Sequence, residues 1–346
     1  MAAPSQPSPR LTAGVPPEAE PPAAPPRASD APAWRTALSV GLALALVGFV
    51  LSRLDLEAFQ RALAGTNHLA FAGFVVGFNF ALLAADAVAT TWLYRRTLAP
   101  VRVGEILVIR AASYLPALLN HHVGQGWLTF FVSRVYRASL ARVAGVTLIV
   151  YATTFAAVVL VGVVAVPLAG GAVPWLAPVV GALVVAGVGY LGVLAWRPRW
   201  LAQRPALAPL FELGVGGQLL ATATRVPHVL VQFAGVWVPL RLFGVEVPLG
   251  DALAYVPVVL LAVTLPLTPV GVGTRDVLCI ELFAHHAAGP PEAQRAAVAA
   301  ATLSWVTGLT LLQSVVSPLM LRLANRLLAR ATTAASPPGE RAEPPP

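Results

Sequence analysis

Lysine is absent from this sequence: all 23 basic residues are arginine. Charged residues of both signs make up only 11 % of the chain, and there is a single cysteine, Cys279. Each shortage excludes something. A soluble domain carries roughly 25 % charged residues, so a chain this poor in charge reads as an integral membrane protein. One cysteine forms no internal disulfide and has no partner at metal-ligand spacing, and Cys279 sits in an apolar run where it reads as packing. The net charge of +8 comes without a long basic run or a basic-aromatic module, which argues against nucleic acid as a partner. The chain has no G-x-S-x-G, no H-E-x-x-H and no P-loop. It also offers no extramembrane segment long enough for a catalytic domain, so neither an enzyme nor a cofactor is expected. His121 and His122 are adjacent and point apart, with no third ligand at useful spacing, so no metal site is expected. Arginine in place of lysine, with abundant Ala, Gly and Pro, is the mark of GC-rich codons and suggests a bacterium.

What remains is mostly apolar: 57 % of the residues, with a mean hydropathy of +0.75. Residues 1–33 and 331–346 are rich in Pro and Ala and read as disordered tails around a membrane domain of residues 34–330. The first apolar run starts too late for an ordinary cleaved signal peptide. Spans are expected at Thr36–Ser52, His68–Tyr94, Val143–Pro167, Trp175–Trp196, Gln218–Leu240 and Ala296–Leu321. Leu54–Leu63 alternates charge and apolar groups at helical spacing and is expected to lie along the interface, with Leu207–Leu213 as a second such piece.

Two further apolar segments are interrupted. Val103–Phe131 carries Pro116, Gly124 and Gly126, and Leu249–Ala284 carries Pro266, Gly271 and Gly273. Non-helical backbone at membrane depth is tolerated only where protein or water satisfies the freed groups, so such breaks mark sites. The halves align at a shift of about 145–150 residues. Trp92 falls on Trp237, Gly104–Glu105 on Gly250–Asp251, and Gly124-x-Gly126 on Gly271-x-Gly273. If each interrupted segment dips in and returns, the arginines from Arg35, Arg95 and Arg96 through Arg142 and Arg204 to Arg330 share one side. The other side keeps Arg53, Arg61, Arg241 and Arg295. If each segment crosses once, the arginines split almost evenly. The positive-inside rule favours re-entry, with both termini cytoplasmic. The expected fold is therefore an all-α membrane protein of about six transmembrane helices plus two re-entrant, broken segments. These form two inverted repeats, about residues 36–167 and 175–321.

Charged groups inside a bilayer cost roughly 3 kcal/mol each on insertion scales and are functional suspects by default. Arg225, His228 and Gln232 fall at i, i+3 and i+7 on one helical face, and Asn79 and Asp86 lie seven apart in the second span. Under the repeat shift Asn79 maps near Arg225 and Asp86 onto Gln232, so the two stripes could face one cavity with Asp86 beside Arg225. The alternative is a buried ion pair that only locks two helices. Pro227 is expected to loosen that face. Gly271 and Gly273 would let backbone approach a ligand. A half-helix starting at Thr274 would aim free N–H groups at a phosphate, and Arg275 would add a bidentate donor. The alternative for Arg275 is an ion pair with Asp276 or Glu281. The first interrupted segment offers Glu105, Arg110, Asn120, His121, His122, Gln125 and Gly126.

At LPLTPVGVGTRD the chain resembles the lysylphosphatidylglycerol synthase transmembrane-region family of flippase-like membrane proteins. That family carries a Pro-x-x-Pro-Gly-Gly-x-Gly-x-x-Glu segment in its second half and a Pro…Gly-acidic segment in its first. The resemblance implies a polytopic bacterial inner-membrane protein. In bifunctional members this region moves aminoacylated phosphatidylglycerol between leaflets, while a soluble domain without counterpart here makes it. Val270 replaces the first glycine of the pair, Asp276 the glutamate, and Gln125 the acidic residue of the first segment. The expected function is translocation of a lipid or lipid-linked substrate whose anionic headgroup binds between the two re-entrant segments. The alternatives are a non-transporting subunit partnering a glycosyltransferase or lipid-modifying enzyme, and, last, an intramembrane enzyme using a pair such as Asp86 and His228.

Overall fold

A computed structural model describes residues 56–118, 121–168, 174–264 and 274–333. The expected first span Thr36–Ser52, Asn120, the break from Pro266 to Gly273 and the tail 1–33 lie outside the described residues, as does the expected tail 331–346 except for residues 331–333, which are helical. The chain is an all-α membrane protein: the described residues form helices, with no β-strand beyond one isolated bridge between Val245 and Ala287. In order they are α1 (Leu56–Ala64), α2 (His68–Thr97), α3 (Val103–Ala117), α4 (His121–Val135), α5 (Leu140–Leu168), α6 (Leu176–Trp196), α7 (Arg199–Ala202), α8 (Ala208–Leu242), α9 (Leu249–Thr264), α10 (Thr274–Phe283) and α11 (Pro291–Thr333).

Helices dominate because a bilayer offers the backbone no partner but itself. Among the described residues α2, α5, α6, α8 and α11 are long and apolar enough to cross a membrane. The 43 residues of α11 amount to about 65 Å of helix, roughly twice a hydrocarbon core, so it projects beyond the bilayer. Its reach past the expected Leu321 has a simple cause: Arg322, Arg326 and Arg330 cannot enter lipid but are good helix formers. The expected interfacial piece near Leu207–Leu213 forms the start of α8, where Gly214 (φ 67°, ψ 176°) breaks the helix before the long span begins. Pro227, expected to loosen that span, leaves the backbone in helical geometry; the turn sits at Gly214, a conformation open to a residue without Cβ. α1 buries Ala58 while Glu57 and Arg61 stay exposed, so it is amphipathic as its spacing predicts.

Side-chain ties sort the helix ends into two groups. At one end Arg142, opening α5, donates from Nε to the Thr97 carbonyl closing α2 (3.0 Å) and pairs with Glu212 at the start of α8 (2.5 Å). Arg137, just before α5, donates to Ala331 at the end of α11 (2.6 Å). Tyr136, after α4, donates to Glu105 at the start of α3 (2.8 Å), so α3 and α4 form a hairpin that opens at this arginine-rich end. At the other end Phe71, near the start of α2, meets Phe243 after α8, with ring centroids 5.4 Å apart. His286, after α10, lies 3.4 Å from Asp251 at the start of α9, and Glu246 N–H donates to the His286 carbonyl. The second hairpin, α9–α10, thus opens at the opposite end. Opposite openings are what two halves of inverted sense would give.

Packing exchanges the halves. α3 packs against α11, and α9 against α5, so the first arm of each hairpin rests on the last helix of the other half. Between them α2 and α8 cross face to face. Phe78 of α2 lies on Gly235 of α8, where a methyl group would collide with the ring, and its edge meets Trp305 of α11 (centroids 4.6 Å). α6 stays at the periphery, burying only Leu176, Val180 and Leu194.

Candidate functional site

Three helices bring opposite charges together in the interior. Asp86 is on α2, one turn before Thr90; Arg225 is on α8; Arg110 is on α3, in the first hairpin. One Asp86 carboxylate oxygen accepts from Arg225 Nη1, and the other lies 2.6 Å from Arg110 Nε. Arg225 Nη2 also donates to Thr90 Oγ1 (2.7 Å), and that hydroxyl lies 3.4 Å from Asp86 Oδ1. The side chains of Arg225, Asp86 and Arg110 are 2 %, 4 % and 15 % exposed, so water does little to screen them.

The cluster is not neutral. Two guanidiniums face one carboxylate, and among the described residues neither arginine pairs with a second acid. One formal positive charge is therefore left in excess in an apolar interior, where unpaired charge is costly. Beside the cluster is a small cavity with about the room one water needs. Its polar wall is Asp86, Thr90, Tyr94, Arg110, Gln125 and Thr147. Thr147 is held 3.0 Å from Thr129 of α4. The two arms of the first hairpin meet tightly above it: a Cβ on Gly124 would sit 2.5 Å from the Ala117 Cβ and 2.9 Å from the Ser113 carbonyl oxygen.

The residues singled out by spacing distribute as follows. Asp86 and Arg225 face each other, as the two stripes require, and Gln125 lines the same cavity. His228, one turn beyond Arg225, is buried, and among the described residues its Nδ1 has no hydrogen-bond partner. Asn79 is buried further along α2 and is reached by Gln313 of α11 (3.4 Å), away from the cluster. Gln232 is half-buried, and Gly126 is exposed with open space around it. Arg275 is elsewhere. Its Nη2 donates to the Thr302 carbonyl (3.1 Å) and lies 3.4 Å from Asp276, which is fully buried. It lines a separate small cavity with Gly235, Cys279 and Trp305. Of the two ion pairs weighed for Arg275, the one with Asp276 forms. α10 does begin at Thr274, while Gly271 and Gly273 lie outside the described residues.

Arg110 was offered by the sequence but not assigned to the site. Its signal was available: an arginine between Ile109 and Ala111 in an apolar segment meets the same cost argument that singled out Arg225.

Helices throughout the described residues, five of them long and apolar enough to span, and a buried charge cluster joining α2, α3 and α8 define a multi-pass membrane protein. It belongs to the family described as lysylphosphatidylglycerol synthase TM region, whose model matches residues 36–327. No curated protein and no solved structure matches the chain.

Proposed function

We propose that this protein moves a lipid, or a lipid-linked substrate, with an anionic headgroup between the leaflets of the bacterial inner membrane, its arginine-rich end cytoplasmic. The observation that carries the reading is the excess positive charge at Arg110, Arg225 and Asp86. A phosphate arriving there would complete the charge balance and compete with Asp86 for the guanidiniums, which bind carboxylate and phosphate by the same fork geometry. Arg110 belongs to the first hairpin while its partner belongs to α2, so exchanging Asp86 for phosphate would free that hairpin to rock against the rest. This is alternating access around a midplane site, with the second hairpin gating from the other side. A headgroup that balances its own phosphate with an amine would gain less from such a site.

The test is leaflet-resolved movement of phosphatidylglycerol in vesicles containing the purified protein. Arg110→Gln is expected to stop movement while the protein stays folded in detergent, and Arg275→Gln to slow it less. Undiminished movement in Arg110→Gln sinks the reading. A second reading, a non-transporting membrane subunit for a glycosyltransferase or lipid-modifying enzyme, draws on the cavity having room for only about one water. Wild-type vesicles that move no lipid offered would favour it.

A further inference from the structure

Where α2 leaves the apolar region, the loop into α3 folds back under two arginines. Arg95 Nε donates to the Val101 carbonyl (2.8 Å), which fixes its guanidinium over the loop. Arg96 stacks on the Trp92 ring at 5.0 Å, with its guanidinium exposed. Across an open cleft of about 460 Å3, floored by Ala99 and Pro100, stands Arg142. Arg142 is fully engaged: Nε is on the Thr97 carbonyl, and its other two nitrogens are on Glu212 at 3.1 and 2.5 Å. Arg95 and Arg96 form no ion pair among the described residues.

The cleft thus holds one neutralised guanidinium and two that are positioned but uncompensated, at the end of a 30-residue apolar helix. Trp92 on the preceding turn is of the type that sits at headgroup level. The matching corner of the other half differs. There Trp237 Nε1 takes the loop carbonyl, Val247, at 2.9 Å, and a single arginine, Arg241, stacks on the indole at 5.3 Å. Trp237 thus occupies the position of the Arg95 contact, which leaves that corner with one cation where the first has two.

We infer that the Arg95–Arg96–Arg142 cleft is a second binding site, separate from the buried cluster, for a phosphate-ester anion at the membrane surface, supplied by an anionic lipid headgroup. With Arg95 held by its bond to Val101 and Arg96 by its stack on Trp92, two planar guanidiniums present their remaining N–H groups to phosphate oxygens at little further ordering cost. Basic pockets at the end of a span are suited to this chemistry, and each arginine near the surface adds attraction for anionic lipid. The site does not depend on whether the protein transports.

The full chain in phosphatidylcholine nanodiscs provides the test, read as the shift in unfolding midpoint when phosphatidylglycerol or inorganic phosphate is added. Phosphatidylglycerol is expected to stabilise the wild type, with R95Q/R96Q binding about 30-fold more weakly. Both proteins keep the buried cluster, so their difference reports on this cleft alone. Inorganic phosphate matching phosphatidylglycerol would keep the site but assign it to a soluble anion. If R95Q/R96Q does not fold, Glu212→Gln decides. It releases Arg142 as a third free fork, so tighter binding supports the site and unchanged affinity overturns it. Equal response of wild type and R95Q/R96Q to both anions also overturns it.

Discussion

The two hairpins are built to one plan and spend their charge differently. Each is closed at its mouth by an acid on the first arm and a polar ring after the second: Glu105 with Tyr136, Asp251 with His286. Each rests its first arm on the last helix of the other half. Yet the first hairpin sends Arg110 across to Asp86 on α2, into a cluster completed by α8, whereas the second keeps Arg275 on Asp276 and the Thr302 carbonyl. The first hairpin is therefore tied to α2 through buried charge. The second is tied to α11, and its acid is its own neighbour.

The contrast is tested most severely by Asp86→Ala. It strands two buried guanidiniums, and removing one partner from a buried pair typically costs about 3–5 kcal/mol. The unfolding midpoint in detergent should fall sharply, and R225M added to D86A should recover part of the loss by removing one stranded charge. Arg275→Met leaves a single carboxylate, Asp276, short of one distant contact at 3.4 Å rather than two guanidiniums short of their shared acid, and should cost less. Equal losses for D86A and R275M would erase the distinction between the hairpins.

A smaller effect is expected at the tip of the first hairpin. Gly124→Ala places a methyl group against the Ala117 backbone and the Ser113 carbonyl, where nothing flexible can yield, so overpacking should cost about 1–3 kcal/mol. Gly126→Ala has open space on the same helix and should be neutral or slightly stabilising, since alanine is the better helix former. Thermal unfolding of the two variants side by side checks this.

Much of this was legible in the sequence. Five of the six expected spans show as apolar length, while the first span and the Pro266–Gly273 break lie outside the described residues. The facing of Asp86 and Arg225 followed from seven-residue spacing on two helices of matching place. What spacing cannot supply is the third neighbour. Arg110 is on the first arm of a hairpin, and nothing in its own segment says which charge that arm will meet. The reverse holds for Arg275, whose motif drew attention while its partners were one residue away and on α11. The Gly214 turn falls in the glycine-rich gap, Gly214, Gly216 and Gly217, between the expected interfacial piece Leu207–Leu213 and the span from Gln218. Pro227 advertised a break instead, but a proline can sit in a helix whose axis other contacts hold straight.

The mouths of the hairpins give the smallest and most selective prediction, because their rings respond to pH in opposite directions. Burial, reinforced by neighbouring His285 and offset in part by Asp251, lowers the proton affinity of His286. The folded protein therefore binds this proton less readily than the unfolded chain. The second mouth keeps its full stability above about pH 6.5 and loses it as pH falls below, where the unfolded imidazole is protonated first. Burial and the bond to Glu105 raise the Tyr136 phenol, so the first mouth keeps its stability up to about pH 10 and loses it above, where the unfolded phenol ionises first. Unfolding midpoints measured across pH should show a shallower acid limb in His286→Asn and a shallower alkaline limb in Tyr136→Phe, each leaving the other limb unchanged. An acid limb that survives His286→Asn would mean the second hairpin is not held at its mouth, and that the symmetry of the two closures is one of position only.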